Sequence, residues 1–408
     1  MSEIIKKIII IIIVILAAVG MTFVVTSLMF SDNKKSDKDY FADEHTVFVK
    51  ETTPTDAEKN KATDSDSEPV AFVTSEPEVT SEEALEDITG NASAGDAISH
   101  EKYQIPENTN DTQAPVIFIN NTNVTITLGT TFNIKDYIGY GDDVDRDVEV
   151  ITEASVNTSV TGSYKVNYKL RDDAGHETPS VMNVNVVDSV PDSEGSGLQY
   201  KAESFADFAE KYKTDNTSLG IDVSRWQSSI DFQKVKEAGC EFVIIRIGGY
   251  DDGNHYTDKF YAQNIRNAKA AGLKVGIYWH AEESTPDEVR SSVNYMMGVL
   301  DNAELDFPIA YDWEDFAKFE EHHMNIQDLN DCYEVFVDEV NDRGYTACLY
   351  NSKNFLDTVW KNERNNKVWL AHYTDKTDYT GEYYMWQHSS IGRIPGIDGA
   401  VDLDILYK

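Results

Sequence analysis

From residue 220 onward, short runs rich in β-branched residues alternate with longer segments of helical periodicity. Eight such runs occur: GIDVS, FVIIRI, KVGIYWH, PIAYDWE, ACLYN, KVWLAHY, YMWQH and VDLDIL. Eight is the strand number of a closed α/β barrel. Helical segments follow the first five runs, near 230–238, 258–271, 286–302, 325–343 and 352–364. The pattern predicts an α/β barrel over 219–408, built from five β/α units followed by three β-strands.

Polar side chains cluster at the ends of these predicted strands, where barrel enzymes place their chemistry. Asp312 and Glu314 are two residues apart in YDWED, so they share one face of their strand, whereas Tyr311 and Trp313 face the helix layer. The other polar residues at strand ends are Asp222, Ser224, Tyr278, His280, Asn351, His372, Gln387, Asp402 and Asp404. One carboxylate at a strand end is usually a helix cap or a solvated loop residue. Several from different strands predict a shared site.

Carboxylates gathered at a barrel mouth suit the hydrolysis of glycosidic bonds. One carboxyl group protonates the leaving oxygen, and a second group stabilises the cation-like sugar carbon. Crowding of carboxylates raises the pKa of one of them, which keeps that group protonated. The residue pattern alone leaves many barrel glycosidases open.

The N-terminal segment at 8–30 contains no charged side chain. Its length exceeds the roughly 20 residues that a helix needs to cross the hydrocarbon core. Lys6 and Lys7 precede it, which places residues 1–7 in the cytoplasm and the rest of the chain outside the cell. A cleaved signal peptide is the alternative, but apolar character continues well past AAVG. The sequence predicts a single-pass membrane protein that contacts a lipid bilayer through this transmembrane helix.

Two further regions separate this helix from the barrel. Residues 31–112 are rich in Asp, Glu, Ser and Thr and predict a disordered acidic linker. Residues 113–188 contain short runs of period two between turn signals, which predicts a small all-β sandwich. The stretch from VTGSYK to VNVVD resembles bacterial immunoglobulin-like surface modules. Residues 189–218 are predicted to be a linker with a short helix in SFADFAEKYK.

Metal and cofactor sites find little support in the sequence. Calcium prefers oxygen ligands, which the sandwich offers at Asp142, Asp143, Asp145, Asp172 and Asp173. Solvated turn carboxylates are the more common case, so we expect no metal. EEHH at 320–323 lacks the HExxH spacing and is expected to be a surface loop. We therefore expect no cofactor.

Charge and cysteine content restrict the partners and the redox chemistry. The formal net charge of −37 argues against a nucleic-acid partner, because nucleic-acid phosphates would be repelled. The odd number of cysteines does not indicate a disulfide framework. Cys240, Cys332 and Cys348 are expected to be buried free thiols.

Several motifs in the last 190 residues together resemble one known family. They are GIDVSRWQ at 220–227, the Asp-x-Glu of YDWED, WLAHY at 369–373, MWQH at 385–388 and the terminal IPGIDGAVDLDIL. In this order and spacing they resemble glycoside hydrolase family 25, the muramidases of bacterial lysozyme type. The resemblance covers about 219–408 and implies a barrel of five α/β units and three strands. It also implies hydrolysis of the β-1,4 bond between N-acetylmuramic acid and N-acetylglucosamine in peptidoglycan.

The same resemblance implies roles for individual residues. Glu314 would be the general acid/base, Asp312 would assist it, and Asp222 and Asp402 would complete the catalytic set. Tyr278 matches a third-strand tyrosine of the family, but YWHA departs from the more usual Tyr-His-Phe. The residues expected to bind substrate are Tyr278, His280, Asn351, His372, Trp386 and Gln387.

Two other functions remain open at this point. The chain could be a glycan-binding surface adhesin whose barrel has no activity, which would explain a tethered sandwich module. It could also be another barrel glycosidase such as a chitinase, but the Asp-x-x-Asp-x-Asp-x-Glu run expected there is absent. A tethered muramidase fits wall remodelling, division, or partners in a secretion or conjugation apparatus.

Overall fold

The computed structural model describes residues 102–106, 110–189, 202–314 and 316–408. The predicted transmembrane helix at 8–30 and the predicted cytoplasmic residues 1–7 lie outside the described residues. So do most of the predicted acidic linker and the segment 190–201. Within the ranges that are described, no helix is long and apolar enough to cross a membrane.

The N-terminal module is a small sandwich of two sheets. Its strands are β1 (Val116–Asn120), β2 (Asn123–Thr127), β3 (Ile138–Gly141), β4 (Glu149–Thr152), β5 (Gly162–Arg171) and β6 (Glu177–Val187). β1 pairs with β3, and the second sheet has the order β2–β6–β5–β4. Inward residues alternate along β5 and β6, including Val166, Tyr168, Met182 and Val184, and form the module's core. The predicted all-β sandwich is confirmed.

One strand pairing in the module is parallel. β2 and β6 run in the same direction, whereas β5 is antiparallel to both β4 and β6. A parallel pair needs a long connection. Here the connection consists of β3, β4 and β5 with their loops.

The C-terminal domain is a closed barrel surrounded by helices. Its strands are β7 (Thr217–Val223), β8 (Phe242–Asp251), β9 (Asn254–Thr257), β10 (Lys274–Ala281), β11 (Ile309–Trp313), β12 (Ala347–Ser352), β13 (Lys367–Ala371), β14 (Met385–Gly392) and β15 (Val401–Tyr407). Its helices are α1 (Phe205–Tyr212), α2 (Phe232–Glu237), α3 (Tyr261–Ala270), α4 (Pro286–Leu300), α5 (Phe316–Glu321), α6 (Ile326–Asn341) and α7 (Lys353–Thr358). The predicted five β/α units and three final strands are confirmed.

The barrel closes through eight strands, and β9 forms a hairpin with β8 outside the ring. β7, β8 and β10 to β14 pair in parallel in that order. β15 is antiparallel to both of its neighbours, β14 and β7. The connection at 393–400 is too short for a parallel crossover, which takes about a dozen residues or more. This reversal brings the start of β15 to the end of the barrel where the parallel strands finish.

The hairpin strand β9 and the helix α5 are absent from the sequence prediction. α5 follows YDWED directly and ends at Glu321, so EEHH is not entirely the expected surface loop. Glu320 and Glu321 belong to the helix, and His323 lies in the turn after it with a φ of 55°.

Alternation along the strands divides the apolar side chains into two layers. One layer fills the barrel and includes Ile244, Ala310, Cys348 and Met385. The other lies between the strands and the helices and includes Tyr311 and Trp313, which are both fully buried as predicted. All three cysteines are buried free thiols, which confirms that prediction.

Helix α1 packs into this outer layer. Phe205 and Phe208 are buried, and the ring of Phe208 stacks on that of His388, with a centroid distance of 5.7 Å. Ser204 caps the helix by accepting a hydrogen bond from the amide of Asp207. The short helix predicted within a linker is therefore part of the barrel domain's core.

The sandwich module contacts the barrel through β1 and the loop after β3. The ring of Phe118, from β1, lies 4.9 Å from Phe316, 5.8 Å from Phe319 and 5.7 Å from Phe355. These three rings come from α5 and α7 of the barrel domain. Phe118 is 1% exposed and belongs to the barrel's outer core, not to the core of its own module.

Residues before the module also contact the barrel domain. The hydroxyl of Tyr103 donates a hydrogen bond to Asp331 on α6 at 2.5 Å. Its backbone amide donates to Asp338 on the same helix at 2.6 Å. Tyr103 lies in the part of the chain predicted as acidic linker, and at this point the chain is held against α6.

Candidate active site

A polar cleft opens at the carboxyl ends of the parallel barrel strands. Its lining includes seven of the ten predicted site residues: Asp222, Tyr278, His280, Asp312, Glu314, Gln387 and Asp402. The other residues that line it are Ser224, Trp226, Gln227, Arg246, Tyr350, Trp369, Tyr373 and Ser390. Carboxylates from β7, β11 and β15, with Glu314 just after β11, therefore share one cleft.

Strand register explains why these carboxylates converge. Asp312 pairs with His280 on one side and Tyr350 on the other. Asp222 lies opposite Asp402 in the antiparallel pair of β7 and β15. Because β15 is reversed, Asp402 at its beginning reaches the same end of the barrel as Asp222 at the end of β7.

A hydrogen-bonded chain of side chains fixes the orientation of Asp222. The hydroxyls of Tyr350 and Tyr373 both donate to Oε1 of Gln387, at 2.8 and 2.9 Å. Since that oxygen accepts two donors, the amide nitrogen points the other way and donates to Oδ2 of Asp222 at 2.7 Å. Gln387 thus connects Tyr350 on β12 and Tyr373, just after β13, to the candidate catalytic carboxylate on β7.

The cleft also contains a buried cation. Arg246 is 2% exposed, and its Nε donates to Oδ2 of Asp258 at 3.1 Å. Arg246 and Tyr278 occupy paired positions on β8 and β10. Burial raises the pKa of the Tyr278 hydroxyl well above its usual range, although the positive charge of Arg246 opposes the shift. Tyr278 is therefore a neutral hydrogen-bond donor at the cleft wall.

Asp404 lies fully buried on β15, two residues beyond Asp402. Its Oδ1 accepts a hydrogen bond from Nε1 of Trp369 at 2.9 Å. Burial, together with the negative charge of Asp402, raises the pKa of Asp404 well above its usual range, while the Trp369 hydrogen bond opposes the shift. Asp404 thus lies below the cleft, and its carboxyl group holds a proton more readily than an exposed aspartate does.

Three predicted substrate-binding residues do not line the cleft. Asn351 is fully buried, and His372 bonds Oγ1 of Thr377 through Nδ1 at 2.8 Å. Trp386 packs in the outer layer, 5.9 Å from the ring of Tyr212 on α1. Neighbours along a strand point to opposite faces. Because Tyr350, Tyr373 and Gln387 face the cleft, these adjacent residues face away from it.

Asn351 acts on the cleft indirectly. Its Nδ2 donates to the backbone carbonyl of Trp313 at 2.8 Å, and its Oδ1 accepts from the amide of Ser352. Trp313 lies between Asp312 and Glu314, so this bond positions the end of the strand that carries both carboxylates.

Eight cleft residues are not among the ten predicted site residues, and five of these eight are aromatic or charged: Arg246, Trp226, Tyr350, Trp369 and Tyr373. Trp369 and Tyr373 lie in WLAHY, and Trp226 lies in GIDVSRWQ, so the motifs contained them. Tyr350 is two residues after Cys348 on the same strand, and Cys348 faces into the barrel. The strand period therefore places Tyr350 on the inward face too. Arg246 is an arginine within the apolar run FVIIRI, and a buried cation of this kind is a signal in itself.

Behind β10 and β11, a buried glutamate accepts hydrogen bonds from two tryptophan side chains. Nε1 of Trp279 donates to Oε1 of Glu283 at 2.9 Å, and Nε1 of Trp313 donates to the backbone carbonyl of Glu283 at 3.0 Å. Burial raises the pKa of Glu283 from its usual 4.5 to about 7, although the Trp279 bond opposes the shift. Glu283 is therefore neutral in mildly acidic solution.

This shift predicts a pH dependence of stability. Because the folded-state pKa of Glu283 is raised, its favourable contribution is complete below pH 4.5 and declines until the pH passes about 7. The total loss is about 3 kcal/mol in the free energy of unfolding. Glu283→Gln keeps an acceptor for Trp279 and should lack this loss. Urea unfolding should show that the free energy of unfolding of Glu283→Gln, relative to that of the wild type, is higher at pH 8 than at pH 5. An equal difference at both pH values would contradict the assignment.

Comparison with known families agrees with this architecture. Residues 221–397 match the family described as glycosyl hydrolases family 25. Residues 119–186 match a family described as bacterial surface protein, Ig-like domain. The two matches correspond to the barrel and to the sandwich module.

Two of the curated relatives are named as lysozymes. The autolytic lysozyme of Clostridium acetobutylicum is 30% identical over 187 residues, which cover 45% of this chain and 54% of the relative. Lysozyme M1 of Streptomyces globisporus is 25% identical over 209 residues, 45% of this chain and 65% of the relative. The chain thus spans about half the length of the first relative and less than two thirds of the second.

Among solved structures, a family 25 glycosyl hydrolase from Bacillus anthracis is 18% identical, with a TM-score of 0.42. The alignment covers 48% of this chain and 93% of that structure. The family matches, taken with the fold, identify residues 221–397 as a glycosyl hydrolase family 25 domain and residues 119–186 as a bacterial Ig-like domain.

Proposed function

We propose that this chain is a peptidoglycan hydrolase that cleaves the β-1,4 bond between N-acetylmuramic acid and N-acetylglucosamine. The observation that carries the proposal is the convergence of Asp222, Asp312, Glu314 and Asp402 on one cleft of a family 25 domain. The lysozymes among its relatives support this substrate class.

In the proposed reaction, the carboxyl group of Glu314 donates its proton to the glycosidic oxygen as the bond to the sugar carbon breaks. Positive charge develops on that carbon and its ring oxygen. Asp312 orients the 2-acetamido group or stabilises the developing charge, and Asp222 and Asp402 add negative potential. Water then adds to the sugar carbon, and its proton returns to the Glu314 carboxylate.

The hydrogen-bonded chain from Tyr350 and Tyr373 through Gln387 supports this chemistry by positioning. A carboxylate that accepts a fixed amide hydrogen bond cannot rotate freely. Asp222 is therefore held in one orientation at the cleft. Preorganised groups of this kind need no reorganisation as charge develops.

Trp226 supplies an apolar surface at the cleft. Its side chain is 49% exposed, and the guanidinium of Arg225 lies 4.9 Å from its ring centroid. Exposed aromatic rings stack against the apolar faces of sugar rings. We assign Trp226 to binding of a sugar unit next to the bond that is cleaved.

Trp226→Ala should raise KM about tenfold, because a stacking contact of about 1.4 kcal/mol acts on ground state and transition state alike. The kcat value should change little, and Trp226→Phe should have a KM close to that of the wild type. Initial rates on soluble glycan strands of increasing concentration measure both constants. A fall in kcat with unchanged KM would contradict a role in sugar binding.

The proposal also includes the cellular location of the chain. The uncharged segment at 8–30 would anchor the chain in the cell membrane, with the two folded domains outside the cell. The bilayer and the peptidoglycan would then be its two partners. Protease added to intact protoplasts should digest both domains, and a chain lacking residues 1–30 should no longer sediment with the membranes. Protection of the domains in wild-type protoplasts would contradict this orientation.

A further inference from the structure

Three carboxylates of the Ig-like module meet next to the junction with the barrel. One oxygen each from Asp111, Asp142 and Asp145 lies within 4.8 Å of the others. Calcium binds carboxylate oxygens at 2.3–2.6 Å, so two ligands of one ion are at most about 5 Å apart. The spacing of the three carboxylates thus fits a single cation between them.

Asp142 has an oxygen for which the described residues provide no partner. Its side chain is buried, with 1% exposure. Oδ1 accepts hydrogen bonds from the amides of Val144 and Asp145, both at 2.8 Å. Oδ2 is equally buried and has no hydrogen-bond partner among the described residues. A buried carboxylate oxygen in this condition needs a proton or a cation, because burial of an uncompensated charge is costly.

Among the described residues, the basic side chains near the cluster contact Asp111 and two carboxylates outside the cluster, Asp143 and Asp172. His176 lies 3.0 Å from Asp172 and 3.5 Å from Asp111 through its Nδ1. Nζ of Lys361 lies 3.8 Å from Asp143. Within the described ranges, no basic side chain forms an ion pair with Asp142 or Asp145.

We propose that Asp111, Asp142 and Asp145 bind one calcium ion in the Ig-like module. All three ligands are hard carboxylate oxygens, which calcium and magnesium both accept. Asp111 and the loop at 142–145 supply these ligands. We choose calcium because it accepts varied ligand geometries, whereas magnesium demands a near-ideal octahedron.

The site lies in the loop that holds the barrel domain. The carbonyl of Asp142 accepts a hydrogen bond from the amide of Ile326 at 2.8 Å, at the first turn of α6. The carbonyl of Val144 accepts from Nδ2 of Asn325 at 2.7 Å, and Arg146 forms an ion pair with Asp328 at 2.7 Å. An ion bound by Asp142 and Asp145 would therefore order the same residues that contact the start of α6. Calcium would strengthen the attachment of the module to the barrel.

Hydrogen exchange of the purified full-length chain, detected by mass spectrometry, localises such an ion. The chain is stripped with EDTA, dialysed, and compared with and without about 2 mM CaCl2, above the 10⁻⁴–10⁻³ M dissociation constants of the weaker calcium modules. Calcium should slow exchange in peptides covering 110–114, 141–147 and 324–328. MgCl2 at the same concentration should slow it less.

Two aspartate variants distinguish this site from binding by the acidic chain in general. Asp142→Asn should abolish the calcium-dependent protection, and Asp173→Asn should retain it. Asp173 is exposed and contributes only its backbone amide, which donates to Asp145. If Asp142→Asn disturbs the module without calcium, the half-exposed Asp145→Asn provides the same test.

Titration calorimetry with CaCl2 should show at least tenfold weaker binding in the variant that loses protection. Wild-type exchange that is unchanged by calcium would overturn the proposal. Equal protection in wild type and Asp142→Asn would also overturn it. Equal protection by magnesium would overturn the choice of calcium.

Discussion

Glu314→Gln lowers the release of reducing ends from purified peptidoglycan by roughly 10²- to 10⁴-fold in our account, the range that removal of a general acid/base costs. The amide has the shape of the carboxyl group but cannot donate a proton to the glycosidic oxygen. Glu314 lies after the last residue of β11 and is partly exposed at the cleft, so the fold should not depend on it. The loss should appear in kcat, since binding of the glycan uses other side chains.

A matched substitution separates this effect from a general change of charge. Glu237→Gln makes the same chemical change at an exposed position on α2, where the side chain accepts a hydrogen bond from Gln233. It should retain wild-type activity. Unfolding curves of both variants should overlay that of the wild type. Activity of Glu314→Gln within tenfold of wild type would remove Glu314 from the role of proton donor.

Phe118→Ala is expected to lower the free energy of unfolding by about 3–5 kcal/mol, the usual cost of removing a buried phenylalanine ring. The ring fills a space between Phe316, Phe319 and Phe355 in the barrel domain. Those contacts attach the module to α5, which begins two residues after Glu314. The variant should therefore also show faster hydrogen exchange in α5 and in the turn that follows it.

Ile117→Ala is the control for this prediction. Ile117 is the neighbour of Phe118 on β1 and packs against the module's own core. Its truncation should destabilise the module but leave exchange at 316–324 unchanged. If Phe118→Ala left exchange in α5 at the wild-type rate, the module would not support that helix.

Much of the barrel could be predicted from sequence because helical and strand periods alternate along it. It is harder to predict from sequence which residues of the inner strands face into the barrel and which face the helices. Strands buried on both faces read as continuous apolar runs, so the inward face does not differ in polarity from the outward one. This is why Asn351 and His372 were expected at the cleft, one residue away from Tyr350 and Tyr373. At the end of β11, Asp312 and the following Glu314 interrupt the apolar run and indicate which face points into the cleft.

The contact between the module and the barrel left no comparable pattern in the sequence. Phe118 lies in the run VIFI, which predicts a strand but does not indicate that one ring packs into another domain. The carbonyls of Asp142 and Val144 that hold the start of α6 are backbone groups, present at every residue. Such contacts follow from the relative placement of two folded units, which strand and helix periods do not encode.

The most direct test of the proposed activity is mass analysis of the fragments that the purified chain releases from peptidoglycan. Fragments are reduced with borohydride before analysis, so that the sugar at each new reducing end is marked. Our account predicts reduced N-acetylmuramic acid at these ends, and roughly 10²- to 10⁴-fold slower release of such ends by the Glu314→Gln variant. Reduced N-acetylglucosamine, or an absence of new reducing ends at saturating enzyme, would contradict it.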